Sequence, residues 1–369
     1  MRIDVVDPPA YTPPYDRALS AALARAGAEV TLRSGAFNYG EVASAEGYRV
    51  DQCFGGMLKG RPGSPLRAAS RLVAEMPEML RYRRIARQAD LVHFQWLPLP
   101  QIGASLLPAD RPVVITAHDV VPREPRPGQI AGLRRAYARA DAVVVHSENG
   151  SERLQRELGV AAERCHVIPH GTFTHLAEIE NRAPLPPELA AVEGPVALCF
   201  GLMRPYKGLD VAIEAWRGIT NAELWIVGLP RMDTASLKAS APNNVRFVER
   251  FIEDREIPAF FERAELVLLP YREIDHSGVC FTALAFGTPM LLSDVGGFPE
   301  IAAAGAAELV PAGDAAALRT QAQSLLSDAA ARQRLAAGAA TAARDLYDWD
   351  RVAAMHLELY SKLIGGGAR

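Results

Sequence analysis

Short, nearly uninterrupted apolar runs alternate with longer segments of helical spacing along most of the chain, and this alternation is what most restricts the fold. In the first half the runs are residues 2–6, 29–33, 91–94, 113–117 and 142–146. The last three are apolar at almost every position rather than at every second one, which suits parallel strands covered on both faces. Between the first two runs, residues 16–26 have helical spacing and Gly27 stops them. Strand alternating with helix predicts an α/β chain with doubly wound parallel sheets. The pattern pauses at 183–195, which holds four prolines and reads as a linker. A second series then begins at 196–200 and continues at 223–227, 245–247, 266–269, 290–293 and 308–310. Helical segments at 209–217, 257–263, 281–286, 315–326 and 329–346 separate these runs. The expected organisation is a first domain over 1–182, a linker, a second domain over 196–348, and a final helix in 349–369. A length of 369 residues suits two such domains.

Composition excludes other classes. Apolar residues at 49% and charged residues at 22% exclude a mostly disordered or fibrous chain. A net charge of −3 supplies no global field for nucleic acid, so no nucleic-acid partner is expected. Cys53, Cys165, Cys199 and Cys280 lie far apart without a CxxC pair. They read as reduced core thiols of a cytoplasmic protein, with no zinc spacing. The start, MRIDVVDPPAY, lacks the apolar stretch of a signal peptide. No apolar run approaches the length of about 18 residues needed to span a bilayer.

Chemistry concentrates at two predicted strand ends. In Cys199-Phe-Gly-Leu-Met-Arg-Pro-Tyr-Lys-Gly208 a strand ends at Phe200, Gly201 permits close backbone approach, and Arg204 and Lys207 lie on the loop into the next helix. Two cations there suit a diphosphate leaving group; the other reading is an ordinary loop with solvated charges. The second stretch follows the 266–269 run, where Ser277, Gly278 and Val279 open a helix whose free amides and dipole suit an anion. Ligands of such sheets bind outside the carboxyl ends of the strands.

These segments carry a resemblance. FGLMRPYKGLD, SGVCFTALAFGTP and SDVGGFPEI together resemble the nucleotide-sugar-binding domain of GT-B glycosyltransferases, and most closely the retaining family 4. VVVHSENGSERL followed by VIPHGTF resembles the end of that family's first domain. YDWDRVAAMHLELY resembles its closing helix, which crosses back to the first domain. The resemblance spans roughly residues 90–365 in the expected motif order. It implies two Rossmann-like domains facing a central cleft. It also implies transfer of a glycosyl group, typically a hexose, from a UDP- or GDP-sugar, with retention and without a metal or other cofactor.

The resemblance gives roles to residues. Arg204 and Lys207 would stabilise the departing diphosphate, with Gly201 and the Ser277–Val279 amides beside it. His118, in Thr116-Ala-His-Asp119, would reach the donor sugar; the alternative is a locally bonded core histidine. Backbone groups near Arg250, Phe251 and Ile252 would meet the base. Many family members carry two glutamates eight positions apart; here the matching residues are Ile274 and Thr282. The chain thus resembles a subgroup with an SGV loop in place of that pair. Thr282 could still offer a hydroxyl to a ribose, and Glu273, Asp275 and His276 are sugar-side candidates. His146 and His170 are expected to make structural hydrogen bonds. Asp348-Trp-Asp350 fits a metal-binding DxD formally, but helix-start chemistry explains both acids. No nucleophile is visible, and a front-face retaining transfer needs none.

The acceptor, a small molecule, a saccharide or a lipid-linked sugar, is expected on the first domain. Residues 59–88 hold eight basic residues (Lys59, Arg61, Arg67, Arg71, Arg81, Arg83, Arg84, Arg87) against Glu75 and Glu78. Leu66, Leu72, Val73, Met76, Met79 and Leu80 add an apolar stripe. Such a segment either lies on an anionic membrane surface or is a solvated helix packed on its domain, and Pro77 is expected to interrupt it. Two other functions share this architecture: a sugar-nucleotide epimerase, which would need acid/base carboxylates, and a non-catalytic sugar-nucleotide-binding protein.

Overall fold

A computed structural model describes residues 1–37, 44–57, 59 and 65–366. The chain forms two units, residues 1–171 with 349–369, and residues 172–348.

The first unit is built on seven parallel strands: β1 (Arg2–Asp7), β2 (Glu29–Ser34), β3 (Arg49–Asp51), β4 (Leu91–Phe94), β5 (Val113–Thr116), β6 (Ala142–Val145) and β7 (Cys165–Val167). Their order is β3-β2-β1-β4-β5-β6-β7. The order reverses between β1 and β4, the place where an open α/β sheet leaves a crevice at its carboxyl edge. Strands β1, β4, β5 and β6 are buried along nearly their whole length, which explains the largely apolar sequence of β4, β5 and β6. The sequence pattern did not indicate β3 and β7. Both are three residues long and lie at the sheet edges, and neither is buried throughout.

Helix Pro65–Ile85 corrects one expectation: it runs through Pro77 without a break. A proline removes the hydrogen bond to the carbonyl four residues back. Here that residue is Val73, which is 72% exposed, so water can satisfy its carbonyl. Arg61 lies outside the described residues, as does the side chain of Arg67.

The final helix, Trp349–Gly365, packs within the first unit against helix Pro13–Arg25. Asp350 pairs with Arg25 at 2.6 Å across that contact. Deeper in, the His93 ring bridges Tyr360 Oη at 2.6 Å and Thr116 Oγ1 at 2.7 Å. His356 Nδ1 donates to the Val352 carbonyl at 2.8 Å, one turn back.

The second unit has six parallel strands: β8 (Val196–Phe200), β9 (Glu223–Val227), β10 (Val245–Val248), β11 (Leu266–Leu269), β12 (Met290–Ser293) and β13 (Ala307–Val310). Their order is β10-β9-β8-β11-β12-β13, with the reversal between β8 and β11. Trp216, Leu224, Leu268 and Leu291 lie in its core. Residues 183–195 belong to this unit; Ala183 N donates to Arg255 O, and Pro187–Ala190 forms a helical turn. Asp314 and Asp328 cap the two helices that follow β13, their side chains accepting first-turn amides.

Burial keeps His93 and His356 neutral: it drives the first well below the ordinary 6.5 and the second down to about 4. A histidine whose folded-state pKa is lowered contributes stability above its unfolded value and loses it as pH falls. Denaturant unfolding should therefore show stability falling between pH 6.5 and about 4. His356→Met should remove on the order of 3 kcal/mol of that fall. An unchanged acid limb in the variant would contradict the assignment.

Candidate active site

At the reversal point of the second unit, the loop after β8 and the loop after β11 lock together. Gly208 has a φ of +64, and a Cβ there would stand 2.0 Å from the Pro270 carbonyl oxygen, so only glycine permits this approach. Arg272 completes the joint: its guanidinium pairs with Asp210 at 2.6 Å and donates to Pro205 O at 3.0 Å, and its amide donates to Tyr206 O at 2.8 Å. The loop after β9 joins from the other side, with Met203 N donating to Leu229 O and Arg231 N to Met203 O, both at 3.0 Å.

This joint holds Lys207. Lys207 is only 6% exposed although its side chain ends in an ammonium. Nζ donates to Phe200 O at 3.1 Å and lies 5.2 Å from the centre of the Tyr271 ring. Gly201, with φ +95, lets this happen: a Cβ there would stand 3.0 Å from Lys207 Nζ and 3.1 Å from Val279 Cγ2. One point beside Gly201 is thus in reach of both the ammonium and the first turn of helix Gly278–Ala285.

That helix starts without a side-chain cap. Ser277 occupies the cap position, but its hydroxyl lies 3.4 Å from Tyr271 Oη instead of bonding a first-turn amide. First-turn amides have no acceptor inside a helix, so they are available to an anion. Arg204 sits at the start of the turn Pro205–Lys207, half-buried. Its side chain has no hydrogen-bond or ionic partner among the described residues. The β8 and β11 edges therefore gather Gly201, Arg204, Lys207, Ser277, Gly278 and Val279.

The remaining second-unit candidates are more dispersed in character. Thr282 Oγ1 donates to Gly278 O at 3.0 Å, so its proton is used inside the helix. Asp275 is buried and Ile274 is too, whereas Glu273 is exposed and His276 half-buried. The Arg250 guanidinium is held by Glu256 at 2.5 Å and donates to Phe251 O at 3.1 Å, leaving the backbone of this turn as its means of contact. Ile252 is buried and Phe251 half-buried. Sequence reasoning missed Arg272 and Tyr271; the only sign was their place directly after an apolar run.

In the first unit, His118 lies beyond the carboxyl end of β5 and is 4% exposed. It stacks on Trp96 (5.2 Å, 16°) and meets the Tyr15 ring edge-on (4.8 Å, 89°). Its Nε2 lies 3.0 Å from Gln95 Oε1 and its Nδ1 3.3 Å from His146 Nε2. His146 Nδ1 donates to Ile168 O at 3.0 Å, so His146 Nε2 accepts and His118 Nδ1 donates. A neutral His118 then needs the Gln95 amide turned to donate, which suits a buried Gln95 amide nitrogen with no partner as placed. Both nitrogens of His118 are engaged within its own unit. His170 Nδ1 donates to Gly171 O at 2.6 Å, a backbone contact like that of His146.

Helix Pro65–Ile85 turns Met79 and Tyr82 into the core and presents Leu66, Leu72, Val73, Met76 and Leu80 outward, each between 42% and 72% exposed. Arg81 and Arg84 are exposed on the same helix, and Lys59 and Met57 just before it. Among the described residues, no helix is long and apolar enough to cross a membrane.

Two family profiles match this chain: "Glycosyltransferase Family 4" over residues 17–175 and "Glycosyl transferases group 1" over residues 194–328. A protein of Xylanimonas cellulosilytica named D-inositol 3-phosphate glycosyltransferase is 30% identical over 94% of this chain and 90% of its own length. The phosphatidyl-myo-inositol mannosyltransferase of Mycobacterium leprae is 27% identical over 76% of this chain and 75% of its own. Sucrose-phosphate synthase of Thermosynechococcus elongatus covers 100% of both chains with a TM-score of 0.80 at 20% identity. HepE of Anabaena, solved with UDP-glucose, covers 98% of this chain and 100% of its own with a TM-score of 0.74 at 18% identity. Those structural likenesses match the two parallel-sheet, Rossmann-like units to the GT-B fold. Sequence profiles over both units and a relative of nearly full length agree: the chain belongs to the family 4 glycosyltransferases and is a transferase enzyme.

Proposed function

We propose that this transferase moves a hexose from a UDP- or GDP-sugar, with retention, and meets the diphosphate charge with its own residues rather than with a metal. The observation that carries the reading is the buried Lys207 ammonium beside Gly201 and the uncapped helix start at Ser277. A buried ammonium attracts an anion that reaches it far more strongly than an exposed one does. A diphosphate in that place would be bonded by Lys207, by Arg204 and by the Gly278 and Val279 amides. Charge developing on the leaving oxygen would then meet preformed donors, the largest single contribution expected in such chemistry. His118 remains our candidate on the first unit for a sugar hydroxyl, by exchanging one of its present bonds. The Arg250–Ile252 backbone is our candidate for the base. The formal DxD pair is better explained as structure, since Asp350 is paired with Arg25 at the start of its helix. Transfer, rather than epimerisation or mere binding, is favoured by the glycosyltransferase relatives and by the two cations at the β8 loop.

For the acceptor, we favour a lipid-linked or membrane-proximal molecule. The outward stripe of helix Pro65–Ile85 with its flanking arginines suits an anionic bilayer surface, apolar side chains entering and cations meeting headgroups.

Two measurements test these readings. Lys207→Ala should abolish the thermal stabilisation of the protein by UDP or GDP and lower turnover of a UDP-glucose and GDP-mannose panel about 100-fold or more. Turnover near that of the parent would remove the assignment. Flotation with phosphatidylglycerol vesicles should recover the protein at low salt, and Val73→Asp with Met76→Asp should leave it at the bottom of the gradient. Equal flotation of parent and variant would contradict membrane docking by this helix.

A further inference from the structure

Four neighbouring strand ends in the first unit are linked by one row of side chains, and strand register sets the row up. Thr116 of β5 pairs with Val144 of β6, so His118 and His146, each two residues further on, stand side by side. Val145 of β6 pairs with Val167 of β7, so Ile168 stands beside His146 in the same way. Gln95 directly follows β4, on the other side of β5. Gln95, His118 and His146 are all buried, so the row lies within the carboxyl edge of the sheet.

A backbone carbonyl at one end gives the row a direction. The Ile168 carbonyl can only accept, so His146 Nδ1, 3.0 Å away, carries the proton. A neutral imidazole has one N–H, which leaves His146 Nε2 as an acceptor. His118 Nδ1 lies 3.3 Å from it and therefore donates. His118 is left with a lone pair on Nε2, 3.0 Å from the Gln95 side chain. Turning the His118 ring over would set carbon atoms against both Gln95 and His146. Trp96, stacked on one face, and the edge-on Tyr15 ring hold the plane of the imidazole.

We propose that His146 is a positioning residue for glycosyl transfer: it keeps the His118 proton on Nδ1 and so presents Nε2 as a hydrogen-bond acceptor. The part His118 plays at the donor sugar rests on the reading above. An acceptor nitrogen selects its partner. The sugar group that meets it has to be a free hydroxyl, which donates its proton in place of the Gln95 amide. The other tautomer would present an N–H, and that would meet a hydroxyl or a ring oxygen equally well. The hydrogen bond on one ring nitrogen decides what the other can do. Here that decision is made two strands away, at the Ile168 carbonyl, and passes to His118 through His146.

Long-range proton–nitrogen NMR of the imidazole rings in the full chain reads each tautomer directly. The parent should show His118 in the Nδ1–H form, its signals assigned by their loss in His118→Ala. His146→Phe removes the acceptor and should convert His118 to the Nε2–H form, donating to Gln95. His146→Gln supplies a carbonyl oxygen in that place and should restore Nδ1–H. Turnover of UDP-glucose and GDP-mannose should follow the tautomer: kcat about tenfold lower in His146→Phe, the loss of one good hydrogen bond, and recovered in His146→Gln. Unfolding midpoints are read in parallel, since a merely structural His146 would move them without moving the tautomer. An Nε2–H or doubly protonated His118 in the parent, or a tautomer unchanged in folded His146→Phe, overturns the proposal. So does unchanged turnover in His146→Phe where His118→Ala is impaired. Unimpaired turnover in His118→Ala overturns instead the sugar role of His118. A parent inert toward both donors counts against the donor reading, and the tautomer alone then decides the part of His146.

Discussion

An ammonium group withdrawn from water is the constraint around which the second unit is arranged. Lys207 lies in the interior of a loop joint, where its ammonium donates to the Phe200 carbonyl and lies beside the Tyr271 ring. Desolvating a cation costs several kcal/mol, so the fold bears this cost only because the joint itself is over-determined. Gly208 against Pro270, the Arg272–Asp210 pair and the backbone bond to Tyr206 hold the loop whether or not a ligand is present. Preorganisation follows directly: donors already aimed at one point need no reorganisation when charge appears there. The uncapped helix start at Ser277 likewise leaves first-turn amides without a side-chain acceptor.

Strand order converts this local joint into a site. In each unit the strand order reverses once, between β1 and β4 and between β8 and β11. The Lys207 joint lies at the second of these reversals, while His118 follows β5, two strands from β1 in the first sheet. Neighbouring β-ends then bring residues far apart in sequence, such as Gly201 and Val279, within van der Waals reach. In the first unit the same geometry packs His118 between Trp96 and Tyr15 and threads it to His146 and Ile168 through hydrogen bonds.

The buried parallel strands were legible in sequence because parallel strands covered on both sides have nearly unbroken apolar runs; β11 is apolar and buried at every residue, and β12 at all but Ser293, which is buried too. Strands β3 and β7 were not, because short edge strands are selected for pairing rather than burial and carry Arg49, Asp51 and His166. Pro77 misled for a physical reason: a proline breaks a helix where the freed carbonyl is buried, and here it faces water. The cations of the β8 loop could be read from their place between a strand and a helix. Arg272 could not, since its role depends on a partner, Asp210, that only the fold supplies. The histidine relay was half legible: the position of His118 at a strand end was visible, but the Gln95 and Trp96 contacts that fix its ring were not.

Two kinds of polar group matter here: those bonded within their own unit, and those that a ligand at the β8 loop would complete. His93, neutral and bonded at both nitrogens, is of the first kind, and Arg204 of the second. The most direct test of that distinction is a crystal structure of the chain with UDP or GDP bound. The account predicts diphosphate oxygens within about 3 Å of Lys207 Nζ and of the Gly278 and Val279 amides. A nucleotide whose phosphates lie elsewhere, out of reach of Lys207, would contradict it.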